Sequence, residues 1–90
     1  MSFDYYKAPD QDVFDEIKRA SIELWRTYDD TYGYASQKIS RIKDIENVRD
    51  NAWYMVAMFD QFNQIKLIKL LNEKARTAVL EVLEWSYSQV

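Results

Sequence analysis

Residues Ala52-Trp53-Tyr54-Met55-Val56-Ala57-Met58-Phe59 run without a charge between polar flanks at 44–51 and 60–64. Eight residues wind through a little over two turns of helix, so such a run faces every direction and calls for cover on all sides. In a chain of 90 residues, a central helix or a partner chain has to supply that cover. The octet therefore points to packing or association rather than to chemistry.

Ninety residues suit one helical domain spanning 1–90, able to bury roughly 60–65% of its unfolded surface. The composition is 48% hydrophobic and 30% charged with a single Gly and a single Pro, which leaves too little turn punctuation for a strand-rich fold. Without cysteine there is no disulfide framework and no thiolate metal site, and a reducing cytoplasm is permitted. Met1-Ser2-Phe3-Asp4 lacks the basic and apolar regions of a signal peptide, and the octet is far short of the ~20 residues that span a bilayer. The expectation is a soluble, cytoplasmic protein with no membrane segment.

Periodicity places the helices. Residues 1–9 read as an extended segment with Phe3, Tyr5 and Tyr6 against the body, and helix one starts at Asp10 or Asp12. Val13, Ile17, Ala20, Leu24 and Tyr28 recur at spacings of 4, 3, 4 and 4, widened by Phe14, Ser21 and Trp25, and carry the helix to about Asp30. Gly33, the only glycine, suits a left-handed residue that stops one helix and aims the next. With Ser36 as N-cap, helix two continues through Ile39, Ile42, Ile45, Val48, Ala52, Val56 and Phe59. Asp60 or Asn63 begins helix three, and Asn72 caps a last helix running through Ala75, Val79, Val82, Leu83 and Trp85. This is an all-α, compact bundle of about four helices with a long central second helix, completed by homo-oligomerisation. Tyr54, Met55 and Met58 lie off the seam and form the expected self-association surface.

Catalytic constellations are nearly absent. Without His or Cys the familiar nucleophile and base pairs are missing, and one glycine cannot build a phosphate loop. Asp29 and Asp30 are adjacent and diverge on a helix, whereas Asp44, Glu46 and Asp50 suit helix caps and pairing with Lys38, Arg41 and Arg49. The chain reads as a non-enzyme with no cofactor and no metal. Its best partner-binding site is Trp25, Tyr28, Asp29, Asp30, Tyr32 and Tyr34, since Tyr and Trp combine contact area with a hydrogen-bonding tip. The competing reading puts Trp25 and Tyr28 in the core and packs Tyr32 and Tyr34 beneath the turn, their hydroxyls on Asp29 or Asp30.

The net charge of −3 is unevenly spread, with −4 over residues 1–36 and +3 over residues 37–76. Lys38, Arg41 and Arg49 supply an alternative ligand-binding strip for phosphate or an acidic partner, with a tyrosine to stack on a base. The same spacing describes an ordinary solvated face.

Tyr28-Asp29-Asp30-Thr31-Tyr32-Gly33-Tyr34, Lys38-Ile39, Ile45-Glu46-Asn47, Asp50-Asn51, Met55-Val56-Ala57-Met58-Phe59-Asp60 and Asn63-Gln64 together resemble short uncharacterised tailed-phage proteins, over about residues 14–72. The resemblance implies a small module in the host cytoplasm that binds and inhibits a host protein or a defence component, and attaches no activity to any residue. Two functions follow: a helical protein–protein interaction module, or a binder of nucleic acid or a nucleotide signal.

Overall fold

The computed structural model describes residues 8–46 and 48–83, and at 48–51 the backbone alone. Their regular structure is all helical: α1 (Gln11–Trp25), α2 (Tyr34–Lys43), α3 (Val48–Ala57), α4 (Gln61–Leu70) and α5 (Glu73–Leu83). Phe3, Tyr5, Tyr6 and Trp85 lie outside the described residues.

The first amphipathic stripe organises the body. Val13, Phe14, Ile17, Ala20, Ser21, Leu24 and Trp25 are all buried on α1, and this helix packs against each of the other four. Burying a side chain such as Ile17 or Leu24 stabilises the fold by about 1.5–3 kcal/mol apiece relative to exposure. The centre of the bundle is thus α1 rather than the helix that carries the octet.

Helix α1 ends at Trp25, short of Asp30. The Thr27 hydroxyl donates to the Leu24 carbonyl at 2.7 Å and the Tyr28 N–H turns to the Trp25 carbonyl at 3.1 Å, so the ladder tightens and stops.

The long second helix is replaced by two, α2 and α3. Ile39, Ile42, Ile45 and Val48 are spaced by three, so each lags the last by about 60° and Ile39 and Val48 fall about 180° apart on an unbroken helix. Breaking the chain after Lys43 lets Ile45 turn inward, where it is 9% exposed. Its carbonyl, freed from the helix ladder, accepts from the Lys18 ammonium of α1 at 2.9 Å. A tertiary hydrogen bond has displaced a local one.

Around the octet, Ala52, Trp53, Met55, Val56 and Phe59 are buried while Tyr54 and Ala57 are exposed and Met58 is half-buried. Helices α1 and α4 both pack on α3 and supply the cover. Asp60 then caps α4, accepting from the Asn63 N–H at 2.9 Å, and Asn72 caps α5, accepting from the Ala75 N–H at 2.9 Å.

The corner between α4 and α5 is gripped from α1. Arg19 pairs with Glu16 at 2.8 Å and donates to the Leu70 carbonyl at 2.8 Å, while the Glu16 carboxylate accepts from the Asn72 N–H at 2.7 Å. The Glu16 side chain is 13% exposed, so the pair is better shielded than an ordinary surface bridge. The hydrogen bond from Arg19, aided by the Asn72 N–H, holds the Glu16 carboxyl below its ordinary value. A lowered carboxyl contributes stability above its unfolded value and loses it as pH falls through the folded one. The urea midpoint should therefore drop as the medium is acidified below about pH 4.3, and Glu16→Gln should make that drop shallower. An acid limb equally steep in Glu16→Gln would remove Glu16 from this role.

Candidate functional site

The turn after α1 is built from its own polar residues. Thr31 donates its N–H at 3.0 Å and its hydroxyl to the Asp29 carboxylate. Ser36 donates its N–H at 3.0 Å and its hydroxyl to Asp30. Ser36 is therefore inside α2 rather than its N-cap, and Asp30 satisfies the first turn from a distance. The N-cap itself is Gly33, at φ 73°, whose N–H closes the turn onto the Asp30 carbonyl at 2.9 Å. The Thr31 hydroxyl holds Asp29, and the Ser36 hydroxyl holds Asp30, below the usual carboxylate range. These acids shape the corner, and among the described residues their side-chain donors are Thr31 and Ser36 rather than the hydroxyls of Tyr32 or Tyr34.

Trp25 joins the corner to the core. Its ring is 2% exposed, stacks on Phe59 at 4.8 Å, lies 4.5 Å from Tyr28 and meets Tyr34 edge-on at 5.8 Å. It is a core residue and is not presented to a partner. Its indole N–H and the Ser21 hydroxyl one turn earlier are buried without a hydrogen-bond partner among the described residues. Tyr28 is half-buried beside it. Burial pushes the Tyr28 hydroxyl above its ordinary pKa, with further pushes from Asp60 and Tyr34.

The outer aromatics are not packed beneath the turn. Tyr32 is 93% exposed and Tyr34 56% exposed. Phe62, which sequence reasoning passed over, is 67% exposed near the start of α4. Its signal was the company it keeps: the positions four and seven residues on, Lys66 and Lys69, share its helical face and are charged. A shallow depression of about 260 Å³ lies between Thr27, Tyr28, Phe62, Asn63 and Lys66.

The basic strip is only partly assembled here. Lys38 sits with its ammonium 5.1 Å from the centre of the Tyr34 ring and Arg41 is exposed further along α2, whereas the side chain of Arg49 lies outside the described residues. Lys66 sits likewise 4.6 Å from the centre of the Phe62 ring. Of the expected self-association residues, Tyr54 is 41% exposed and Met58 half-buried. Met55 has no exposed surface, because α3 turns it into the chain's own core, so it cannot meet a second copy.

No group of three or more metal-ligating side chains occurs among the described residues, and no described helix is long and apolar enough to cross a membrane. Comparison with protein-family models, curated proteins and solved structures returns no match. The site must be read from its own geometry, which offers aromatic area and cations.

Two measurements test this corner. Trp25→Ala should cost about 3–5 kcal/mol in urea unfolding, whereas Trp25→Phe should cost under about 2, because the unpartnered N–H leaves with the lost ring volume. Equal losses would contradict the account of that N–H. Gly33→Ala meets nothing within 4 Å of the added methyl but is held at φ 73°, so it should destabilise by about 1–2 kcal/mol through backbone strain alone.

Proposed function

We propose that this protein is a non-enzymatic helical module that binds another protein through the aromatic corner at the starts of α2 and α4. The observation that carries the reading is the exposure of Tyr32, Tyr34 and Phe62, with Tyr28 half-buried beside Phe62. Large aromatic side chains on a braced surface lose little freedom on binding and are the commonest interface anchors. Asp29 and Asp30 support the surface from within the turn. The tailed-phage resemblance adds a setting, inhibition of a host or defence factor in the host cytoplasm. Homo-oligomerisation belongs to the same proposal, through Tyr54 and Met58, the outward-facing part of the octet.

A second reading has one observation in its favour: Tyr34, Lys38 and Arg41 lie on one face of α2, an aromatic-and-cation strip of the kind that holds a nucleotide or single-stranded nucleic acid. The acidic net charge of −3 weighs for a protein partner.

Immobilised protein should retain one defined host protein that Tyr32→Ala/Tyr34→Ala, with an unchanged circular dichroism spectrum, fails to retain. Retention undiminished in the double variant would sink the assignment. Salt-sensitive binding of RNA or a cyclic nucleotide, lost in Lys38→Ala/Arg41→Ala, would favour the second reading instead. Light scattering that rises to a dimer mass with concentration, and stays monomeric in Tyr54→Ala, would support self-association.

A further inference from the structure

Helices α2 and α4 repeat one chemical pattern. Tyr34, Lys38 and Arg41 on α2 correspond to Phe62, Lys66 and Lys69 on α4, an aromatic residue followed by cations four and seven positions on. At those offsets the three side chains stay within about 60° of one another, so each helix presents one stripe. Both aromatics stand in the first turn of their helix. Tyr28 lines the depression beside Phe62 and Lys66, and it shares the Trp25 ring with Tyr34 at the start of α2.

The cations of these stripes are unspent. Elsewhere in the molecule Arg19 pairs with Glu16 and Glu23, and Lys74 with Asp12 and Asp10. Lys38, Arg41, Lys66 and Lys69 form no ion pair among the described residues, and Lys38 and Lys66 instead lie over the rings of Tyr34 and Phe62. The nearby carboxylates are committed: Asp30 to the N–H and hydroxyl of Ser36, and Asp60 to the backbone and side chain of Asn63. An ammonium resting on a ring can pivot to a carboxylate and leave the ring to an apolar side chain, so each pair offers one charged and one apolar contact.

We infer that the depression between the turn after α1 and the start of α4 docks an acidic peptide segment, with an apolar or aromatic anchor seated by Tyr28 and Phe62, one carboxylate taken by Lys66 at its edge and a further one by Lys38 on α2. The inference rests on the proposed protein-binding role and names the chemistry of its partner. Charge complementarity commits the site to an acidic segment: its cations are open, and the neighbouring carboxylates of Asp30 and Asp60 are occupied.

Selection of short random peptides on the wild-type protein, with depletion on Lys38→Glu/Lys66→Glu, tests it. The expected pool is rich in Asp and Glu flanking Leu, Phe or Trp. Fluorescence anisotropy of its members should show affinity falling tenfold or more in the charge-reversed variant and in Phe62→Ala, and falling with added salt. Replacing each Glu of a selected peptide by Gln should cause a comparable loss. A pool without acidic bias, or affinities indifferent to Lys38→Glu/Lys66→Glu, overturns the inference. So does a homopolymeric RNA that binds the same residues more tightly than any selected peptide, or a dimer of this chain that Lys38→Glu/Lys66→Glu dissolves. If the charge swap changes nothing while host-protein retention still depends on Tyr32 and Tyr34, the acidic chemistry fails and the protein-binding role stands.

Discussion

The burial of the Trp25 ring joins the end of α1 to three later parts of the chain. Tyr28, Tyr34 and Phe59 touch it from the turn, from the first residue of α2 and from the segment between α3 and α4. Each aromatic pair contributes about 0.5–1.5 kcal/mol beyond burial, a large share of a net stability of about 5–15 kcal/mol. The same contact decides what stays outside. With Trp25 and Phe59 filling the space behind the corner, Tyr32 and Phe62 are left in solvent, and Tyr34 is divided between an edge on Trp25 and an exposed face under Lys38. Core and surface here are two consequences of one packing choice.

Charge follows a division of labour. Carboxylates are placed where the backbone turns: Asp29 and Asp30 in the corner, Asp60 at the start of α4, Glu16 at the junction of α4 and α5. Asp30, Asp60 and Glu16 accept from N–H groups that a helix start leaves without partners, and Asp29 accepts from the Thr31 N–H within the turn. The cations of α2 and α4 have no comparable duty. A chain that is acidic overall thus presents a locally basic aromatic face, because the carboxylates nearest that face, Asp30 and Asp60, are absorbed by architecture and its cations are not.

Local signals were legible wherever a single side chain decides the outcome. The stripe on α1, the left-handed Gly33, and the caps Asp60 and Asn72 depend on neighbours within four residues, and each could be read without the fold. The break between α2 and α3 could not, because the group that rewards it is Lys18, 27 residues away. The aromatic corner was found, but its inside and outside were not separable. Trp25, Tyr32 and Tyr34 differ in exposure according to where the chain turns, which residue type does not reveal. Met55 was misplaced for the same reason: extending one straight helix through the octet rotated it away from the core that α3 gives it.

Because α1 touches every other helix, its apolar stripe is fully covered only when all four of the others are in place. The helix with the largest apolar stripe is synthesised before α2, α3, α4 and α5, and its contacts with α5 span most of the described chain. Until α5 arrives, part of that stripe has no permanent neighbour, and an intermediate that exposes it is open to non-native collapse or to capture by another chain. The Arg19 and Glu16 contacts at the α4–α5 corner form only when the chain has doubled back. Closing that corner therefore waits on the synthesis of Leu70 and Asn72, about 50 residues after the side chains that grip them.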